Sequence, residues 1–278
     1  MSAITADLHL HTIHSDGTWT PKGLVAAAHA RGLSTIAVTD HDTTAGVRAV
    51  QQAAAATSLK VVAGVELSLL WGEQSVDTLG YFIDPDDPVL QAETAALRSE
   101  REERAARMVE KLERAGAVIA LADVRRIAGQ GAVGRPHVAQ ALVEAGHASS
   151  VADAFARWIG KGRPGYVDRR RVTPAVGIGW IRAAGGVSVL AHPGLLKDDS
   201  IIPALVDAGL QGIEAYYPTH TPADVVAYLR LAERYGLVVT GGSDCHGPGG
   251  PKGAVVLGSC GVGAEAVARL EAARHHSQ

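Results

Sequence analysis

Cysteine and aromatic residues are both scarce in this chain of 278 residues, which has two cysteines and 4% Phe, Trp and Tyr. Two cysteines cannot build a disulfide framework, and Cys245 lies inside a cluster of acidic and histidine residues, so a reducing cytoplasm is the expected location. The few aromatic side chains predict a core made of Ala, Val, Leu and Ile. They also leave few stacking platforms for a long single-stranded nucleic acid.

The chain also lacks long apolar runs and a strong net charge. No stretch approaches the roughly 18 uninterrupted apolar residues of a membrane span, so none is expected. The sequence enters a strand pattern almost at once, which leaves no room for a signal peptide. A net charge of −3 disfavours binding to duplex nucleic acid, although a few local cations would suffice for a small phosphorylated substrate. Nothing in the sequence indicates an oligomeric state.

Apolar residues are abundant, at 47% against 20% charged residues, and their pattern predicts a large folded core. Apolar runs typical of buried strands alternate with helical patterns toward both ends of the chain. The predicted strands cover residues 4–11, 33–39, 60–66, 78–83, 187–191, 212–217 and 237–242, with a short one near 255–257. The predicted helices cover residues 21–31, 44–56, 174–184, 200–208, 222–235 and 263–274.

The middle of the chain has a different character. One long charged helix is predicted over residues 88–117, shorter helical segments continue to about Trp158, and residues 84–170 show no strand pattern. Alternating strands and helices on either side build parallel sheets and barrels. The sequence therefore predicts an α/β fold in which residues 1–84 and 171–278 form a barrel of about seven strands. Residues 85–170 are predicted to form a helical insertion domain.

Histidine and acidic residues stand where several of the apolar runs stop. They are Asp7, His9, His11, Asp16, Asp40, His41, Glu66, His192, Asp244 and His246. The carboxyl ends of parallel strands converge on one mouth of a barrel, which is where such folds place their chemistry. Imidazoles and carboxylates without matching thiolates suit hard or borderline divalent ions. The pattern predicts a multinuclear metal centre.

Each motif also has a simpler interpretation when it is taken alone. A single His-x-His in a strand is often incidental, and an Asp after a strand is often a helix N-cap, for which Asp42 ahead of the 44–56 helix is the best candidate. Capping does not explain the recurring histidines. His9 and His11 alternate along one strand, so their rings point to the same side, and buried polar groups there need partners.

These motifs together resemble the PHP (polymerase and histidinol phosphatase) family. The resemblance rests on five motifs in order: Asp7-x-His9-x-His11 with Ser15-Asp16-Gly17, Thr39-Asp40-His41, Gly64-Val65-Glu66, Ala191-His192-Pro193 and Gly242-Ser243-Asp244-x-His246. It implies a distorted (β/α)7 barrel that holds two or three divalent ions and hydrolyses phosphate esters by a metal-activated hydroxide. Mn is the expected ion, with Fe, Zn or Mg as alternatives.

Carried over by position, the resemblance implies three sets of metal ligands. The first is His9, His11, Glu66 and Asp244; the second is Glu66, Asp77 and His192; the third is Asp16, His41 and His246. Asp77 is the departure, because related single-domain members usually carry a histidine there. The extra carboxylate puts the occupancy or identity of the second ion in question.

Candidate substrate-binding and proton-transfer residues follow from the same resemblance and from charge. Gly134-Arg135-Pro136-His137 opens a helix of the insertion, where free N–H groups favour an anion. Lys161 and Arg163 lie where the insertion rejoins the barrel, close to an arginine run at 169–171 that a solvated surface also explains. His220 falls just beyond a strand and is expected to meet the phosphate or the leaving group. His192, His220 and Asp244 are the candidate catalytic residues.

The stand-alone layout, with a helical insertion, resembles phosphatases that act on 3′,5′-bisphosphonucleotides, so a small phosphorylated nucleotide is the expected substrate. Nucleases that trim short 5′-phosphorylated oligoribonucleotides resemble it as well. A histidinol-phosphate phosphatase, an amidohydrolase and a non-catalytic PHP module for interaction remain as alternatives. Each alternative is less favoured for its own reason. A histidinol-phosphate phosphatase usually lacks such an insertion, and an amidohydrolase has less need of an anion-binding site. A non-catalytic PHP module is expected to be fused to a polymerase.

Overall fold

The computed structural model describes residues 4–129, 131–196, 198–250, 253 and 255–276. The strands are β1 (Ala6–Asp7), β2 (Thr35–Val38), β3 (Lys60–Trp71), β4 (Gln74–Tyr81), β5 (Val187–Leu190), β6 (Gly212–Tyr216) and β7 (Val238–Gly241). The α-helices are α1 (Pro21–Ala30), α2 (Ala45–Ala54), α3 (Pro88–Arg114), α4 (Leu121–Ala128), α5 (Arg135–Glu144), α6 (Val151–Ala154), α7 (Pro174–Ala183), α8 (Ile202–Asp207), α9 (Pro222–Tyr235) and α10 (Ala264–Ala272). Short 3₁₀ turns cover Pro193–Leu195, Asp199–Ile201 and Ala273–His276, and a π-helical turn covers Phe155–Ile159.

All seven strands belong to one sheet with the order β1-β2-β3-β4-β5-β6-β7. At the seam between the first and last strands, Leu8 N donates to Gly241 O at 3.3 Å, and Leu10 forms a parallel bridge with Cys245. The sheet is thus nearly closed into a barrel with helices around it. The predicted distorted barrel is confirmed.

The distortion lies in β4, which is antiparallel to both of its neighbours. The sequence pattern predicted a repeat of parallel strands here, and that prediction was wrong. β3 runs on to Trp71 and turns back at Gly72, whose φ of 59° suits a residue without Cβ. Parallel neighbouring strands need a long crossover connection, usually a helix, whereas antiparallel strands can be joined by a short turn. Because no helix lies between β3 and β4, the two strands form a hairpin.

Two further strand predictions need correction. Residues 255–257 form no strand, and β1 covers only Ala6–Asp7 of the predicted 4–11. After β1 the backbone hydrogen bonds no longer follow the regular pattern of a strand pair. His11 N, for example, donates to Cys245 O at 3.2 Å. Residues 8–11 therefore line the seam without belonging to a regular ladder.

The chain forms two compact units, Met1–Thr94 with Arg171–Gln278, and Ala95–Arg170. The division falls ten residues beyond the predicted start of the insertion, since the first residues of α3 belong to the larger unit. The smaller unit is helical, and its described residues include no strand. Its core is built from aliphatic side chains such as Met108, Leu112, Val124, Val138, Leu142 and Ile159. Among the helices of the described chain, none combines the length and apolar character that crossing a bilayer requires.

Candidate metal centre

The barrel brings nine of the predicted metal ligands together in three adjoining groups. Within each group the ligand atoms lie within 4.8 Å of one another. The groups are His9, His11, Glu66 and Asp244; Glu66, Asp77 and His192; and His11, Asp16, His41 and His246. Glu66 belongs to two groups, and so does His11, which the sequence analysis had placed in one. Shared donors of this kind can bridge ions.

Glu66 is fully buried at the centre of the cluster and faces four imidazoles. Its Oε2 lies 3.1 Å from His9 Nε2, 3.2 Å from His11 Nε2 and 3.2 Å from His41 Nδ1, and its Oε1 lies 3.0 Å from His192 Nε2. Burial alone would raise the pKa of Glu66, but the charges of His41 and His9 outweigh it and hold that pKa well below its usual range. The side chain is therefore a carboxylate and a suitable ligand for cations.

The segment that carries His9 and His11 is held close to the end of β7. A Cβ added at Gly242 would lie 2.5 Å from the His9 backbone nitrogen, so the close approach requires glycine. Both imidazoles are fully buried, and His11 Nε2 lies 3.1 Å from Asp244 Oδ1. Asp244 Oδ2 in turn accepts a hydrogen bond from the Tyr217 hydroxyl at 2.8 Å.

Two of the candidate ligand residues adopt left-handed backbone conformations that are unfavourable for residues with a side chain. Asp244 has a φ of 54° and His192 a φ of 26°. Backbone strain of this kind costs on the order of 1–3 kcal/mol and concentrates at functional sites. Here both strained residues lie two or three residues beyond the end of a strand and turn their side chains into the donor cluster.

The third group is the more open one, because His41 and Asp16 are each only partly buried. Asp16 Oδ1 lies 3.2 Å from His246 Nε2, and Asp16 Oδ2 lies 4.0 Å from His41 Nε2. Burial would raise the pKa of Asp16, yet the neighbouring histidines hold that pKa well below its usual range. Asp16 is thus also a charged donor.

The donor set fits divalent ions. Several buried atoms of the cluster lack a hydrogen-bond partner among the described residues: His11 Nδ1 and Nε2, His41 Nδ1, His246 Nε2 and Asp16 Oδ1. Leaving buried polar atoms unsatisfied costs on the order of 1–3 kcal/mol each, and ligation would satisfy them. Imidazole and carboxylate donors without thiolate are the ligands that Mn, Fe, Zn and Mg accept.

Three acidic residues of the motifs lie outside the donor groups. Asp40 accepts hydrogen bonds from the Thr12 N–H, the Thr12 hydroxyl and the Ser15 hydroxyl at 2.6–2.7 Å. Asp7 accepts from the Ser243 N–H and hydroxyl, and burial raises its pKa to about 6. Both residues tie together the loops that carry ligands. Asp42 was wrongly predicted as a helix cap: Thr44 occupies that position, and Asp42 accepts from Ser68 N.

Glu214 is a buried residue near the centre that the sequence analysis missed. It lies on β6, is fully buried and contacts the His9 ring. A signal was available, because Glu214 interrupts the apolar pattern Gly-Ile-Glu-Ala-Tyr within a predicted strand.

His220 lies beside the centre but outside all three groups. Its Nδ1 is 2.9 Å from Ala215 O, and its Nε2 accepts from Gly194 N–H at 3.1 Å. This pairing places the proton of the neutral ring on Nδ1. His220 therefore ties β6 to the turn that follows His192.

The predicted substrate-binding cations all lie in the helical unit. Arg135 is exposed at the first position of α5, with its guanidinium 5.5 Å from the centre of the Phe155 ring. His137 Nδ1 accepts from Gly134 N–H at 3.1 Å, which caps the same helix. Lys161 and Arg163 are exposed in the turn that follows Ile159.

A sequence comparison with protein-family models matches residues 7–162 to the PHP domain. The chain belongs to the PHP domain family. One relative, a 3′,5′-nucleoside bisphosphate phosphatase of Chromobacterium violaceum, is 36% identical over 87% of both chains. Another, the 5′-3′ exoribonuclease Rnm of Escherichia coli, is 34% identical over 88% of this chain and 86% of its own.

The fold has a solved counterpart as well. A crystal structure from Bifidobacterium adolescentis, assigned as a metal-dependent phosphoesterase, superposes with a TM-score of 0.83 at 34% identity, covering 96% of this chain and 95% of that one. The PHP chain described here is therefore a metal-dependent phosphoesterase, a hydrolase of phosphate esters.

Proposed function

We propose that this PHP protein is a phosphatase of small nucleotides such as 3′,5′-bisphosphonucleotides. The observation that carries the proposal is the set of three adjoining donor groups that share Glu66 and His11. Such an arrangement suits two or three divalent ions next to one phosphoryl group. The name of the Chromobacterium violaceum relative supports the bisphosphonucleotide as the first substrate to test.

In this proposal the three groups hold the ions, with Mn as the first candidate and Fe, Zn or Mg as alternatives. Bound divalent ions polarise phosphoryl oxygens and lower the pKa of water toward neutrality. The protein supplies charged carboxylates at Glu66, Asp16 and Asp244, whose low pKa values keep them ionised. Tyr217 orients Asp244 through its hydrogen bond to Oδ2.

His192 and His220 are the candidate proton donors for the leaving group. His192 is already part of the second donor group, with its Nε2 3.0 Å from Glu66. His220 must first release the Gly194 N–H before its Nε2 can carry a proton. Metal analysis of variants distinguishes a metal ligand from a proton donor, because loss of a ligand lowers the amount of bound metal whereas loss of a proton donor does not.

The charge of the helical unit supports an anionic substrate. Residues 95–170 contain 14 Arg and Lys against 9 Asp and Glu, whereas the rest of the chain has 12 against 20. Within this unit, burial and the nearby charges of Arg135 and Arg169 lower the pKa of Arg104 to about 10. Arg104 still carries its charge at neutral pH, so three guanidinium groups raise the positive potential of this region. Arginine forks match phosphate geometry.

A 5′-3′ exoribonuclease acting on short oligonucleotides is the second candidate, supported by the name of the Escherichia coli relative. The low aromatic content favours the small nucleotide, because a longer strand benefits from stacking side chains. The complete donor groups disfavour a non-catalytic module.

The deciding experiment compares initial rates on a panel of substrates with Mn, Zn or Mg. The panel contains adenosine 3′,5′-bisphosphate, a 5′-phosphorylated di- and pentaribonucleotide, histidinol phosphate and an aryl phosphate. Phosphate release fastest from the bisphosphate, with no shortening of the pentamer, is the expected result. Faster release of mononucleotides from the pentamer would replace the phosphatase by the exonuclease.

A point substitution tests the metal centre directly. His9→Ala should abolish hydrolysis and lower the bound metal, because His9 is a buried member of the first donor group. His29→Ala is the matched control, since His29 is exposed on α1. Activity and metal content are measured together with thermal unfolding. Full activity of His9→Ala would overturn the proposed metal centre.

A further inference from the structure

Glu214 is fully buried on β6 and belongs to none of the three donor groups in the described part of the chain. Its Oε1 lies 3.0 Å and its Oε2 3.2 Å from His9 Nδ1. Oε2 also accepts a hydrogen bond from the His192 N–H at 2.8 Å. One carboxylate therefore contacts the side chain of one donor group and the main chain of another.

The contact with His9 determines where that ring carries its proton. Both ring nitrogens of His9 face a carboxylate, Nδ1 that of Glu214 and Nε2 that of Glu66 at 3.1 Å. An ion bound to Nε2 needs the lone pair of that nitrogen, and a carboxylate accepts hydrogen bonds only, so a metal-binding His9 would carry its proton on Nδ1 against Glu214. Proton placement by such a partner also makes the opposite nitrogen a better ligand.

The contact with His192 acts on the backbone. His192 has φ 26° and ψ 61°, a conformation that only surrounding contacts can maintain in a residue other than glycine. The hydrogen bond from its N–H to Glu214 supplies one such contact from inside the barrel. In this conformation His192 Nε2 lies 3.0 Å from Glu66 Oε1, and its ring stacks on that of His9 with centroids 5.6 Å apart.

We propose that Glu214 is a positioning residue that holds His9 and His192 with their Nε2 atoms directed at the bound ions. This inference rests on the metal centre proposed above. Glu66 faces the Nε2 atoms of both rings, while Glu214 holds the opposite side of the His9 ring and the main chain of His192. Glu214 thus couples the first donor group to the second.

Glu214→Gln tests the inference at nearly constant volume. The amide keeps one acceptor and places an NH₂ group against either His9 Nδ1–H or the His192 N–H, so one of these contacts becomes a clash between donors. To avoid that clash at His9, the ring must move its proton to Nε2, which removes the lone pair that binds the ion. We expect zinc affinity, measured by competition with a chromogenic chelator, to fall about 10- to 100-fold.

A second readout reports the proton itself. Long-range ¹H–¹⁵N spectra of the zinc-loaded wild-type protein should show His9 protonated on Nδ1, and Glu214→Gln should change that signal. Asp40→Asn is the matched control, because Asp40 is another buried carboxylate but accepts from Thr12 and Ser15. It should destabilise the protein while leaving the His9 signal unchanged.

Three results would overturn the inference. A folded Glu214→Gln with wild-type zinc affinity and an unchanged His9 signal is the first, even if it melts at a lower temperature. The second is wild-type His9 protonated on Nε2, a result that does not require the variant to fold. In both cases the metal centre itself stands. A wild-type protein that binds no divalent ion would overturn the metal centre together with this inference.

Discussion

Asp77 is the residue at which we expect the candidate metal centre to depart from the pattern of its family. It lies on β4 opposite Ser68 of β3 and joins Glu66 and His192 in the second donor group. The group therefore has two carboxylates and one imidazole. Carboxylate oxygens prefer harder ions, whereas imidazole nitrogen suits zinc.

Asp77→His should shift the second site toward zinc. The substitution replaces a charged oxygen ligand by a neutral nitrogen ligand, so we expect higher zinc retention after dialysis and a change in the metal that gives the fastest turnover. Metal content by elemental analysis and rates with Mn, Mg and Zn check this outcome.

Asp207→His serves as the control, since Asp207 is exposed at the end of α8. It should alter neither quantity. An Asp77→His protein with the wild-type metal content and the wild-type metal preference would remove Asp77 from the ligand set.

At the scale of secondary structure, α7 shows how one helix packs on the sheet that carries the site. The helix contains two glycines in different surroundings. A Cβ at Gly177 would lie 2.5 Å from Leu69 Cδ1, and Leu69 is fully buried on β3. A Cβ at Gly179 would meet nothing within 4 Å. The same substitution therefore tests packing at one position and helix propensity at the other.

Gly177→Ala should lower the free energy of unfolding by about 1–3 kcal/mol, because the added methyl overpacks against Leu69. Gly179→Ala should raise it by up to about 1 kcal/mol, because alanine favours the helix and meets no neighbour. Chemical denaturation of the two variants and the wild type measures both changes. Equal effects in the two variants would mean that α7 is not packed on β3 as described.

The candidate metal centre also depends on the hairpin formed by β3 and β4. In the antiparallel register, Glu66 pairs with Leu79 and Ser68 with Asp77, so Glu66 and Asp77 lie on neighbouring strands close enough to share one group. The register of this hairpin therefore brings Asp77 to the second donor group.

At the scale of the whole molecule, charge is divided unequally along the chain. The helical unit has an excess of Arg and Lys, while the rest has an excess of Asp and Glu, some of which belong to the donor groups. The excess of Arg and Lys in the helical unit favours the binding of anions such as phosphate by that unit.

Arg135→Ala tests the role of the helical unit. If Arg135 holds a phosphate of the nucleotide, kcat/KM on the bisphosphate should fall by the equivalent of roughly 2–4 kcal/mol. Activity on an aryl phosphate, which has no second phosphate, should fall less. Equal losses on both substrates would place Arg135 at the reacting phosphoryl group instead.

Arg125→Ala is the matched control, because Arg125 is an exposed arginine of the same unit that pairs with Glu102 at 3.0 Å. Its kcat/KM should match that of the wild type on both substrates. Unchanged rates in Arg135→Ala as well would mean that Arg135 has only a structural role at the start of α5.

Removal of metal should destabilise the entire protein. An ion that binds the folded state at one hundred times its Kd adds about 2.7 kcal/mol, and without ions the buried carboxylates and imidazoles lose their shared partners. The thermal midpoint should therefore fall by several degrees after treatment with a chelator and recover when Mn is added. His9→Ala should show a smaller recovery. Equal midpoints with and without metal would contradict this view.

The positions of β2, β5, β6 and β7, the helical character of the middle of the chain and the candidate donor residues could all be predicted from the sequence alone. The reason is local: a histidine or carboxylate that interrupts a buried apolar strand is visible in the strand itself. His9, His11, Glu66 and His192 could be selected in this way, and Glu214 could have been.

Which of those residues share a candidate site, and which of them support it, became visible once the strands were placed side by side. Asp40 and Asp7 belong to the same motifs as the donor residues but bind hydroxyls and backbone N–H groups, whereas His11 belongs to two donor groups instead of one. The sequence pattern did not indicate the antiparallel direction of β4 either. These features depend on register and closure between strands far apart along the chain, and the order of apolar and polar residues within each strand carries no record of either.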